Sequence, residues 1–128
     1  MTARRRVSSG SAYEATLGFC RALRVADRVL VAGTAPIWPD GSVDPDPQAQ
    51  AGRCLEIIVA ALGDLGATPA DVVRTRMFIT DAGVAEAVGR AHVKVFGDEP
   101  PVSSCVVVAG LLDARWWVEI EAEAVLSP

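Results

Sequence analysis

A chain of 128 residues is long enough for one domain that removes roughly two-thirds of its unfolded surface from water without disulfide staples. Its hydrophobic share of 51% and mean hydropathy of +0.31 are high for a lone soluble domain, which predicts self-association to cover the excess. The net charge of −4 and pI of about 4.9 exclude the overall basic field that attracts nucleic acid or an acidic membrane.

Taken in chain order, Arg4, Arg5 and Arg6 beside Ser8, Ser9 and Gly10 read as a solvated, flexible tail over residues 1–12, with one domain over 13–128. Residues 1–19 lack the core of a signal peptide and no apolar run approaches the roughly 20 residues of a membrane span, which predicts a soluble cytoplasmic protein. Residues 19–25 and 28–33 are short β-rich runs joined at Ala26-Asp27, a hairpin signal, and Gly33 with Pro36 ends the second. Asp46 followed by Pro47 starts a helix, because aspartate accepts from free amides and proline suits the first helical position. Ala51, Leu55, Ile58, Leu62 and Leu65 then form one apolar stripe, stopped by Gly66.

Asp71 to Thr80 alternates as a strand, with Val73, Thr75, Met77 and Ile79 on one face and Val72, Arg74, Arg76 and Phe78 on the other. Asp81 caps a second helix striped by Val84, Val88, Ala91 and Val95 and ended by Gly97. A strand at 103–109 follows, then a turn over Gly110 to Asp113 and a last strand from Arg115 to Val125. There Trp116, Val118, Ile120, Ala122 and Ala124 point one way, and Arg115, Trp117, Glu119, Glu121 and Glu123 the other. The order β-β-α-β-α-β-β places two helices on one face of a single sheet. On the second face, Arg74 and Arg76 would pair with the glutamates if their strands are neighbours; otherwise those carboxylates meet water or line a polar cleft.

Cys20, Cys54 and Cys105 are odd in number and widely spaced, which argues against a disulfide framework and a zinc site. His92 is the only histidine, so a histidine-rich metal centre is excluded, and its helical spacing beside core positions reads as structural or surface duty.

Val29-Leu-Val-Ala-Gly-Thr, Gln50 with Cys54-Leu55, Asp71-Val-Val-Arg-Thr-Arg-Met-Phe-Ile-Thr-Asp, Phe96, Ser104-Cys105 and Val118-Glu-Ile-Glu-Ala form an ordered set running from about Tyr13 to Val125. Taken together these segments resemble the RidA/YjgF family, whose members have also been described as L-PSP endoribonucleases or translation inhibitors. The resemblance implies a chorismate-mutase-like α+β fold. It also implies a homotrimer whose sheets form a central β-barrel, with clefts between subunits. It further implies hydrolysis of reactive enamines and imines, such as 2-aminoacrylate, to a keto acid and ammonia with no metal and no organic cofactor.

In the family an arginine two residues before the cysteine grips the substrate carboxylate, and the first glutamate of the last segment helps position water. Here Cys105 matches the cysteine and Glu119 the glutamate, but Ser103 stands at the arginine and Gly89 at a cleft asparagine; Tyr13 matches an aromatic near the cleft mouth. A charge-assisted hydrogen bond contributes about 1.5–3 kcal/mol and a bidentate grip about twice that, so losing it costs on the order of a hundredfold to ten-thousandfold in binding. A serine hydroxyl can still bond a neutral or less acidic ligand, which implies an altered substrate range.

The residues themselves point the same way. A carboxylate against an apolar wall such as Trp117 or Phe78 has its pKa raised, as a water-positioning base at neutral pH requires, although Glu119 could instead only pair with an arginine. Cys105 reads as a packed or cleft-lining thiol more readily than as a nucleophile. Gly33 lets backbone approach a ligand or merely permits a turn. Arg115 is the first candidate to replace the missing anchor, about 13 Å along the strand from Glu119 at about 3.3 Å per residue; Arg24 and Arg76 are the alternatives. The competing readings are a non-catalytic trimeric ligand-binding or interaction module and, more weakly, a ribonuclease.

Overall fold

The computed structural model describes residues 3–127. Six strands, β1 (Arg4–Val7), β2 (Ala22–Val25), β3 (Arg28–Thr34), β4 (Val72–Ile79), β5 (Val102–Val107) and β6 (Val118–Val125), form one mixed sheet in the order β1-β2-β3-β6-β4-β5. All neighbours are antiparallel except β4 and β5. That parallel pair needs a crossover, supplied by helix α3 (Ala85–Phe96). The two longer helices, α2 (Pro47–Asp64) and α3, cover one face, as the order of apolar patterns implied. This is the single-sheet α+β architecture expected of the chorismate-mutase-like fold.

Helix α2 begins as its sequence dictates: the Asp46 side chain accepts from the Ala49 amide at 2.8 Å and Pro47 occupies the first turn. It ends before Gly66, whose φ of +85° is a left-handed conformation that suits glycine. Its stripe of Ala51, Leu55, Ile58 and Leu62 is buried against Val29, Val31, Val118 and Ile120 of the sheet, and Val88 and Phe96 of α3 complete that core. On the opposite face β4 and β6 are indeed neighbours. Arg76 reaches Glu121 at 2.8 Å and Glu123 at 3.5 Å.

Four expectations change. Residues 4–7 are not a tail but an edge strand paired with β2. Arg5 donates to the Asp64 carbonyl and Val7 packs on the core, contacts distant in sequence that composition cannot show. Helix α1 (Ala12–Leu17) was also absent from the predicted order; its six residues are too few to display a period. In β4 a register shift between Val72 and Arg74 buries Val72 at 3% exposure and turns Val73 out at 44%. The last strand starts at Val118, so the alternation does not extend to Arg115, Trp116 and Trp117.

Candidate active site

Gln50 sets the geometry of the segment entering β6. Fully buried on α2, it donates to the carbonyls of Asp44 and Arg115 at 2.8 and 3.0 Å and accepts from the Trp117 amide at 2.7 Å. A buried amide with both ends bonded fixes the chain it holds. The result is that Trp116, rather than Trp117, turns into a cavity of about 300 Å³ shared with Tyr13, Phe19, Arg21, Gly33 and Glu119. Tyr13, placed by α1, packs edge-on to Trp116 with ring centroids 5.6 Å apart. The Trp116 indole N–H is buried without a partner among the described residues, a donor free for an acceptor.

Glu119 lies half-buried on β6, opposite Phe78 of β4. A Cβ on Gly33 would lie 3.1 Å from its Oε2, so the bare glycine lets the carboxylate rest against β3. Burial pushes the Glu119 carboxyl above its ordinary value; the Arg21 charge opposes this and Glu121 adds to it.

Arg21, only 4% exposed, is the cation of this cavity, and sequence reasoning passed over it. Its guanidinium donates to the Gly33 carbonyl at 2.6 Å, Thr34 Oγ1 at 3.0 Å and Ser9 Oγ at 3.3 Å, and pairs with buried Glu14 at 3.5 Å. No sequence period marks it, because it precedes β2 and its partner sits on the short helix α1. The three arginines proposed as replacements go elsewhere. Arg115 lies outside the strand and clasps Asp113 with two hydrogen bonds, at 3.0 and 2.7 Å, holding that carboxyl down to about 2. Arg24 donates to the Ala26 and Leu65 carbonyls, and Arg76 to Glu121.

The remaining site candidates lie apart from this cavity. Ser103 and Cys105 are exposed on the edge strand β5, and Gly89 is on α3 with open space where a side chain would stand. Partial desolvation of the Cys105 sulfur raises its pKa, which disfavours the nucleophilic thiolate. Ser103 is bonded by Thr75 Oγ1 at 2.7 Å, and Thr75 Oγ1 lies 2.8 Å from His92 Nε2. One chain therefore assembles Tyr13, Gly33 and Glu119 at one place and carries Ser103 and Cys105 on β5 and Gly89 on α3, away from it. Among the described residues, no three His, Cys, Asp or Glu side chains converge as a metal site would require.

Fold and cavity define a class: a small α+β protein with helices on one sheet face and an aromatic-walled carboxylate against the other. The chain belongs to the RidA/YjgF family, and the family profile described as Endoribonuclease L-PSP matches residues 9–126. It is similar to the crystal structure of Rv2704 from Mycobacterium tuberculosis, a member of the YjgF/YER057c/UK114 family, at 43% identity and a TM-score of 0.89, covering 97% of this chain and 100% of that one. An uncharacterized protein of Streptomyces coelicolor is 39% identical over 121 residues, 94% of this chain and 90% of its own. Escherichia coli TdcF, whose name provisionally makes it a reactive intermediate deaminase, is 30% identical over 114 residues, 85% of this chain and 87% of its own.

Proposed function

We propose that this protein hydrolyses imines or enamines to a carbonyl compound and ammonia or an amine, with a substrate range shifted away from 2-iminoacids. The observation that carries the reading is Glu119, a carboxylate held against Gly33 in an aromatic-walled cavity with its pKa raised by burial. Such a group accepts a proton from water as the oxygen attacks the carbon of the protonated C=N bond, an enamine first taking a proton from solvent at carbon to give the same iminium ion. After the carbinolamine forms, it returns that proton to nitrogen as the C–N bond breaks and the hydroxyl proton leaves to solvent. The name of TdcF supports the same chemistry.

The working unit in this reading is a homotrimer with a cleft between subunits, where Tyr13, Gly33 and Glu119 of one copy meet Gly89, Ser103 and Cys105 of the next. The separation of those groups within one chain favours it, as does β5, a charge-free edge strand with Val102, Val106 and Val107 exposed. Three free cysteines suit a cytoplasmic setting. Light scattering is expected to give three times 13.4 kDa; a stable monomer at micromolar concentration contradicts the assembly.

The activity is tested with imines made by an amino-acid oxidase, following carbonyl release. Ser103→Arg is expected to raise hydrolysis of 2-iminoacids at least about tenfold, the value of one charge-assisted hydrogen bond. If the unaltered protein speeds the decay of no imine, with or without a carboxylate, the hydrolase reading fails and a ligand-binding module takes its place.

A further inference from the structure

The group behind Ser103 is unusual for an exposed strand edge. Thr75 is fully buried on β4, and its one hydroxyl hydrogen goes to Ser103 Oγ at 2.7 Å. His92 Nε2 lies 2.8 Å from the same oxygen, which is then free to accept from the Nε2–H tautomer of the ring. The imidazole is held from its other side by Phe96, with ring centroids 4.7 Å apart. Thr75 and Ser103 are direct partners in the parallel β4–β5 register, so the backbone itself aligns the string.

The direction of the string decides what Ser103 offers. With a lone pair occupied by Thr75, the Ser103 hydroxyl keeps its hydrogen for whatever sits beyond the edge strand. Each member of such a chain polarises the next, which strengthens the terminal donor. Burial lowers the His92 pKa and so disfavours a positive charge behind the hydroxyl.

We infer that Ser103, positioned by Thr75 and His92, is a committed hydrogen-bond donor that selects an uncharged acceptor, such as an ester or amide carbonyl, at the place where relatives hold a carboxylate. This rests on the hydrolase reading and names its substrate class: imines or enamines carrying a neutral carbonyl. One neutral donor fits a carbonyl oxygen, whereas an ionised carboxylate at Ser103 meets no cation on β5, and the cation beside Glu119, Arg21, is already engaged by Glu14, the Gly33 carbonyl and Thr34.

The test uses the whole protein and two stable analogues, an N-arylglycine ethyl ester and the corresponding acid, titrated by NMR. The ester is expected to bind more tightly than the acid. Thr75→Val and Ser103→Ala should each weaken ester binding up to about tenfold, the range of one hydrogen bond. Thr75→Ser should stay within about twofold although it removes a buried methyl group. A packing role for Thr75 gives the opposite order, with valine benign and serine worse. Since His92 is the only histidine, nitrogen labelling reads its tautomer directly: Nε2–H in the unaltered protein, lost in Thr75→Val. Tighter binding of the acid, equal loss in Thr75→Val and Thr75→Ser, or a bare Nε2 overturns the inference. Hydrolysis of the matching N-aryl glyoxylate imines is followed in parallel: binding as expected with no hydrolysis sinks the enzyme reading and leaves the donor assignment standing.

Discussion

Replacing Glu119 by glutamine is expected to lower kcat for imine hydrolysis by about 10²- to 10⁴-fold with little change in KM, the usual worth of a positioned general base. Glutamine keeps the shape that Gly33 accommodates, a close approach of 3.1 Å, so it removes proton acceptance more than packing. The pH dependence supplies a second readout. Burial raises the folded pKa of Glu119, so the ionised, active form appears only as pH rises through that raised value. The acid limb of kcat should therefore lie above the ordinary carboxylate range and vanish in the variant.

Stability should move in the opposite direction to activity. A carboxyl whose folded pKa is raised contributes stability below its unfolded value and loses it as pH rises through the folded one. At neutral pH the buried charge of Glu119 thus opposes folding, and the glutamine variant should melt at the same temperature or higher. A fall in Tm together with activity would mean that Glu119 holds the fold, and the catalytic assignment would fail.

How far the sequence reaches is visible element by element. The α2 helix was legible to its first residue because Asp46, Pro47 and a regular apolar stripe are all local signals. The second sheet face was legible only conditionally: Arg76 and Glu121 had the right parity, but their adjacency depends on strand order, which no local pattern encodes. The Val72–Val73 bulge and the early end of alternation before Val118 show the limit of a strict period of two. One shifted register, or one buried Gln50 pulling on a backbone amide, reverses which side chain faces inward. That is why Trp116 took the wall expected of Trp117. Of the residues the resemblance pointed to, Tyr13, Gly33 and Glu119 line one cavity, while Ser103 and Cys105 on β5 and Gly89 on α3 lie apart from it. The Glu14–Arg21 pair and the Thr75–His92 contact were invisible because each joins elements through side chains that carry no motif.

Glu14→Gln is expected to destabilise the protein by about 3–5 kcal/mol, the cost of leaving one member of a buried ion pair without its partner. Glu14 and Arg21 are 6% and 4% exposed, so little water reaches a guanidinium left with only neutral acceptors, the Gly33 carbonyl, Thr34 and Ser9. At a few degrees per kcal/mol for a domain of this size, Tm should fall by about 10 °C or more, compared at equal protein concentration because association also shifts it. Burial alone raises the Glu14 carboxyl. Hydrogen bonds from the Ser9 hydroxyl and amide, together with the charge of Arg21, outweigh burial and hold it below its ordinary value of 4.5. A depressed pKa contributes stability above the unfolded value that is lost as pH falls through the folded one. The gap between the two proteins should therefore be full at neutral pH and close in acid. The change also reaches the cavity, since Arg21 holds the Gly33 carbonyl and its charge opposes the upward shift of Glu119. Without the Glu14 charge, Arg21 acts on Glu119 less compensated, and the acid limb of hydrolysis should move to lower pH. A melting temperature unchanged at pH 7 would show that the neutral acceptors of Arg21 suffice and that the pair does not brace the site.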